Sequence, residues 1–173
     1  PDLDIKKILD WELSLYDTQA PGFVGLNNDF IASARLDNLL SCFGGLQAII
    51  NSADSGEWNL FVANDHEEVG SASAVGAQGP MLNDVLRAIA PDPVDDRALR
   101  QASWMLSVDN AHAIHPNYPT KHDELHAPLL GSGPVIKINR NQRYATSGEG
   151  AARVRLLAER AGVSVPVSYT HLR

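Results

Sequence analysis

The chain has very little cysteine, no basic run and no long apolar run, and each shortage excludes something. Cys42 is the single cysteine among 173 residues, so no internal disulfide can form. That fits a reducing compartment, and a cytoplasmic protein is the expectation. Cys42 lies in an apolar, helix-spaced run, where a cysteine behaves as a small buried hydrophobe rather than a nucleophile. No stretch approaches the roughly 18 consecutive apolar residues that a bilayer span requires. The net charge is -7, and no lysine- or arginine-rich stripe interleaves with aromatics. Nucleic acid and anionic membrane surfaces are therefore not expected partners. No signal peptide, internal repeat or low-complexity segment is visible. The first residue is Pro1 and the pattern begins in mid-element, so the missing leader says nothing about a parent protein. The balance of 44% hydrophobic and 20% charged residues is that of an ordinary globular domain with a core.

Strand and helix patterns alternate along the chain. Ile8 to Tyr16 alternates apolar and polar residues, as a half-buried strand does. Pro21, Gly22 and Gly25 mark a turn-rich connector. Leu36 to Ile50 has helical apolar spacing; Gly44-Gly45 inside it either weakens the helix or marks close packing on a neighbour. Trp58 to Ala63 predicts a strand. Pro80 to Ile89 predicts a helix with proline at its start, and Asp95 to Ala102 a shorter one. Trp104 to Val108 predicts a strand ending at Asp109. Residues 110–133 form a long loop of the kind that is functional or disordered. Pro134 to Asn139 predicts a strand, Gly148 to Ala161 a helix, and Val163 to Val167 the start of another strand. The expected class is α/β: a layered fold with a largely parallel central sheet flanked by helices.

The most informative stretch is Asn64-Asp65-His66-Glu67-Glu68-Val69-Gly70-Ser71. It follows the apolar run Leu60 to Ala63, so it sets two adjacent carboxylates at a strand's C-terminal edge, where open α/β sheets place their ligands. In such a turn one carboxylate can bind a metal while its neighbour takes a proton from the attacking water. Asp109 follows another strand, and Asp37 lies at a loop-to-helix junction. Parallel strands bring Glu67, Glu68 and Asp109 to one sheet edge. Hard carboxylates joined by imidazole suit zinc, manganese or cobalt. Each acid also has an ordinary reading. Glu67-Glu68 is compatible with a solvated acidic turn, Asp37 with a helix N-cap, and Asp109-Asn110 with a turn.

Several runs together carry a family resemblance: WELSLYDTQ (11–19), ARLDNLLSC (34–42), NDHEEVGS (64–71), SVDNAHAIHPNYPTKHD (107–123) and GPVIKINRNQRYATS (133–147). In these runs the chain resembles the aspartyl aminopeptidases, a family of dinuclear-metal peptidases. The resemblance covers about residues 8–167. It implies a metal-dependent aminopeptidase that removes N-terminal Asp or Glu from peptides. Two divalent ions are implied, zinc first, with manganese or cobalt as alternatives. By resemblance, Asp37 bridges the metals, Glu68 binds one, Asp109 binds the other, and Glu67 is the general base. His112, Lys137 and Tyr144 match substrate-contacting positions. Lys137 suits an acidic substrate through charge-assisted hydrogen bonds, although a strand lysine is ordinarily a solvated one. His115 and His122 match as well and receive no role. The resemblance further implies a cytoplasmic homo-oligomer, a dodecamer.

The family pattern is incomplete here. Its metal site also uses one histidine from an N-terminal strand and one from a C-terminal segment, and neither segment is present. The expectation is an incomplete zinc-peptidase catalytic domain, inactive in isolation. Residues 1–16 would end an inserted dimerisation domain, and 17–167 would belong to the catalytic domain. Residues 168–173 do not fit the family's continuation and are expected to be a non-native tail, so His171 is no ligand. Two alternatives stay open: a related dinuclear-metal peptidase or deacylase of other specificity, or a non-catalytic interaction fragment.

Overall fold

A computed structural model describes residues 4–121, 127–139 and 144–170. The best-buried part is a β-α-β unit near its end. Strand β3 (Ile136–Asn139) pairs in parallel with β4 (Val167–Thr170), in the register Ile136 with Val167 through Asn139 with Thr170. A parallel pair cannot close through a tight turn and needs a crossover. Helix α4 (Gly148–Ala161) supplies it. Its ends are specified locally. Ser147 Oγ accepts from Gly150 N at 3.0 Å, and Glu149 sits in the positively polarised first turn. Gly162 terminates the helix at φ +66°, a left-handed conformation that glycine adopts without a Cβ clash. Ile136 and Ala151 are buried in this unit.

Three α-helices precede it among the described residues. Helix α1 (Leu36–Asn51) enters through Arg35 at φ +62°, and Asp37 and Asn38 still have non-helical dihedrals, so regular helix begins after them. Helix α2 (Met81–Ile89) and α3 (Pro93–Ala102) pack together. Asp92 caps α3 by accepting from Val94 N at 2.8 Å, with Pro93 in the first turn. Arg100 bonds Asp96 one turn back and Asn83 of α2, both at 2.8 Å. A short antiparallel pair, β1 (Gly22–Val24) and β2 (Phe30–Ala32), fills the turn-rich connector.

The α/β class and the helices at 36–51, 81–89, 93–102 and 148–161 match the sequence pattern. The sheet is smaller than the pattern suggests. Ile8 to Tyr16, Trp58 to Ala63 and Trp104 to Val108 join no ladder among the described residues. The physical reason is that a strand is defined by its neighbours' hydrogen bonds. An apolar, β-prone run stays unpaired where no partner backbone lies beside it. The predicted strand at Val163 starts later, at Val167. It runs to Thr170 and so includes the first residues of the presumed tail.

The accessible surface is 15131 Å², against about 8,000 Å² for a compact globule of this mass. Large apolar side chains lie uncovered, including Leu39, Leu40 and Phe43 on α1 and Trp104, Met105 and Leu106 beyond α3. An apolar groove of about 290 Å³ runs between Leu60–Ala63 and Met81, Leu82 and Val85 of α2. Gly45 shows why α1 carries a glycine pair: a Cβ there would lie 2.5 Å from the Phe61 ring, whereas Gly44 faces open space. Close packing is thus the role of Gly45.

Gly133 is the strictest backbone position before β3. Its φ is +96°, and a Cβ would stand 2.1 Å from the Ser164 carbonyl oxygen. Gly133→Ala is expected to destabilise the β3–β4 unit by about 2 kcal/mol. Thermal unfolding of the full-length protein carrying the substitution checks this; an unchanged midpoint would contradict the close approach.

Candidate metal and substrate site

Three sequence-distant segments meet around Asn110. Its side-chain amide donates to the Leu36 carbonyl at 3.0 Å, and its side-chain oxygen accepts from Ser41 Oγ at 2.8 Å. Asn38 Nδ2 reaches the Val108 carbonyl at 3.5 Å. These bonds staple the start of α1 to the segment that follows Trp104–Val108. Asp37 sits between Leu36 and Asn38, and Asp109 between Val108 and Asn110, the residues that make these bonds. Asp37 lies just inside α1, and its peptide bond to Asn38 is cis. Its carboxylate accepts no capping hydrogen bond among the described residues, so the N-cap reading fails there.

Lys137 of β3 joins this group. Its Nζ lies 2.6 Å from Asp109 Oδ2, with the lysine side chain 25% and the aspartate side chain 51% exposed. Thr146 Oγ1 donates to the Lys137 carbonyl at 2.7 Å and ties the following segment to β3. That tie holds the Tyr144 ring 5.9 Å from Lys137 Nζ, within cation–π range. The lysine is therefore not a solvated strand residue: it stands between a carboxylate and an aromatic face.

Glu67 and Glu68 occupy a separate turn after Leu60–Ala63. Gly70 N donates to the His66 carbonyl at 2.8 Å, which closes the turn around them. His66 holds a left-handed φ of +60°, its N–H bonds Asp65 Oδ1 at 2.8 Å, and its Nδ1 lies 3.1 Å from Ser73 Oγ. Positive φ at a non-glycine residue costs free energy and clusters at functional positions. Here it occurs at Arg35, two residues ahead of Asp37, and at His66, ahead of Glu67. Both glutamates are exposed and make no hydrogen bond or ion pair among the described residues.

Asp109, Lys137 and Tyr144 are thus brought together, Asp37 lies in the stretch of α1 bonded to the Asp109 segment, and Glu67 and Glu68 are presented on their own turn. No three His, Cys, Asp or Glu side chains among the described residues converge closely enough to hold a metal ion. The donors present are carboxylates of the kind that bind zinc, so their chemistry fits a metal while their number falls short of a full shell. His112 is exposed on the loop after Asp109. His115 is structural: its ring packs on Tyr118 at 5.2 Å and its Nδ1 accepts from Asn117 N at 3.1 Å. His122 and His171 lie outside the described residues. Sequence reasoning overlooked Asn110, Ser41 and Asn38. The only signal was an asparagine beside a candidate ligand, and that dipeptide also reads as a turn.

Comparison with known proteins supplies the family. Residues 2–172 match the family described as aminopeptidase I zinc metalloprotease (M18). The chain belongs to the M18 family. A probable M18 family aminopeptidase 2 of Pseudomonas entomophila is 58% identical over 156 residues, which is 90% of this chain and 36% of that protein. The crystal structure of yeast aminopeptidase 1 (Ape1) superposes with a TM-score of 0.78 at 31% identity, covering 89% of this chain and 38% of that one. The mApe1 dodecamer of S. cerevisiae gives 0.79 at 30% identity, with 89% and 37% covered. The chain spans about a third of the length of the M18 relatives it matches.

Asn110→Ala removes the donor to Leu36 and the acceptor for Ser41. It is expected to cost about 1–2 kcal/mol locally and to speed amide hydrogen exchange at Leu39 to Cys42. Unchanged exchange in the full-length variant would show that α1 is positioned by other contacts.

Proposed function

We propose that the full-length M18 protein containing this chain is a zinc-dependent aminopeptidase that removes acidic residues from peptide N-termini. The observation that carries the specificity is Lys137, an ammonium held against Asp109 and beside Tyr144. A cation anchored next to a candidate metal ligand is where a substrate's side-chain carboxylate would find a charge-assisted hydrogen bond. Asp37, Glu68 and Asp109 are the residues that would hold two divalent ions; manganese or cobalt would also suit these oxygen donors. When bound, such ions supply Lewis-acid stabilisation of negative charge on the scissile carbonyl oxygen.

The chain's own residues divide the remaining work. Glu67, exposed on its turn and without an ion pair among the described residues, takes the proton of the attacking water and delivers it to the leaving amine. Lys137 and Tyr144 orient the substrate's acidic side chain, and His112 contributes from the adjacent loop. The rest of the parent protein completes the ligand shell and covers the apolar faces left open here. Residues 1–16 belong to an inserted dimerisation region and 17–167 to the catalytic domain. The assembly is a cytoplasmic homo-oligomer, supported by the dodecamer seen for the mApe1 relative. No helix of the described residues is long and apolar enough to cross a membrane.

Chromogenic aspartyl and leucyl substrates test this with the full-length protein. Aspartyl hydrolysis is expected to disappear on chelation and return with zinc. Glu67→Gln should lower kcat by about 100-fold or more with metal content retained. Preference for the leucyl substrate would remove the specificity assignment and leave a related peptidase. Inactivity with every metal would point to a non-catalytic interaction protein.

A further inference from the structure

One of the four candidate carboxylates differs from the others. Asp37, Glu67 and Glu68 have no cationic partner among the described residues, whereas Asp109 has Lys137 at 2.6 Å. The lysine is anchored there by more than its charge. Its backbone is fixed by the β3–β4 register against Ser168 and by the Thr146 bond, and its Nζ stands near the Tyr144 ring. The Asp109 carboxylate meanwhile remains half exposed, open to an ion arriving from solvent.

We infer that Lys137 is the resident counter-ion of the metal-free site: it holds Asp109 until a divalent cation takes that carboxylate, and the exchange releases its ammonium for the substrate. The inference rests on the proposed role of Asp109 as a metal ligand. The physical basis is repulsion between two cations on one carboxylate, of which the lysine holds Oδ2. An ammonium hydrogen-bonded to Oδ2 and a dication bound to that carboxylate repel each other at contact distance. Metal entry therefore expels Nζ, while the Tyr144 ring and the strand keep the lysine close by. A freed ammonium then offers its three donors to an acidic side chain. Loading of the metal and capture of the acidic group become linked, and the linkage is reciprocal.

The test uses the full-length protein stripped of metal, with zinc affinity read by competition against a chromophoric chelator. Partly exposed ion pairs shift equilibria by a factor of up to about five. Lys137→Met is thus expected to bind zinc about two- to fivefold more tightly, and added salt should shrink the difference. Lys137→Arg keeps the charge and should stay near wild type. Unchanged or weaker binding by Lys137→Met would overturn the inference, as would equal tightening by both variants. Asp109→Asn separates it from the parent reading. If that variant loses a metal equivalent while Lys137→Met is unaltered, only the counter-ion role falls. If it binds metal normally, both fall. A second readout is acylation of Lys137 by a water-soluble active ester, followed by peptide mass spectrometry. Labelling should rise several-fold on zinc loading, and equal or lower labelling would count against release.

Discussion

The arrangement of the site depends on one side chain, Asn110, bonding two points on α1 that lie 69 and 74 residues before it. An amide suits the task because it donates and accepts at once: the NH₂ goes to the Leu36 carbonyl and the oxygen takes the Ser41 hydroxyl. The Leu36 carbonyl belongs to a turn whose dihedrals are not yet helical, where the normal helical accounting of backbone groups does not hold. The partner arrives from the far segment instead. Asp37 and Asp109 follow passively, each one residue from a bonded group. The Lys137 ion pair then adds β3 to the cluster, so that three segments converge on one small volume.

The energetic character of the chain is that of an open half-structure. Its accessible surface of 15131 Å² is nearly twice what a compact chain of this mass would show. Ile136 and Ala151 are buried, whereas α1 presents Leu39, Leu40 and Phe43 to the outside. The helices themselves are well specified by local chemistry. Asp92 and Ser147 cap, Pro93 starts, Gly162 stops, and Arg100 and Arg153 make one-turn ion pairs with Asp96 and Glu149. Local signals of this kind decide where helices begin and end; they do not cover apolar faces, and most helical stability comes from such cover. The chain's span of about a third of its M18 relatives accords with the area left open.

Legibility in the sequence followed this division between local and distant causes. Helix positions were readable because caps, prolines and 3.6-residue spacing act within a few residues. Gly45 was readable as a choice between two roles, and the Phe61 ring decided it. The strand predictions at Ile8–Tyr16, Trp58–Ala63 and Trp104–Val108 did not become ladders here, since alternation reports burial on a face and carries no information about a neighbouring backbone. The candidate acids were readable from their settings after apolar runs and from the family resemblance. The Lys137–Asp109 pairing was not, because each residue alone is compatible with an ordinary surface role.

By itself, the sequence determined the α/β class, the positions of α1 to α4, the M18 membership and the exclusion of a disulfide within this chain, since composition, periodicity and ordered motifs are properties of the chain as written. Only the tertiary structure decided that Asn110 staples α1 to the segment after Val108, that Lys137 stands between Asp109 and Tyr144, and that left-handed residues precede both acidic turns. These depend on contacts between residues up to 74 positions apart. No local pattern encodes such contacts, because the partner's position is set by how the intervening chain folds.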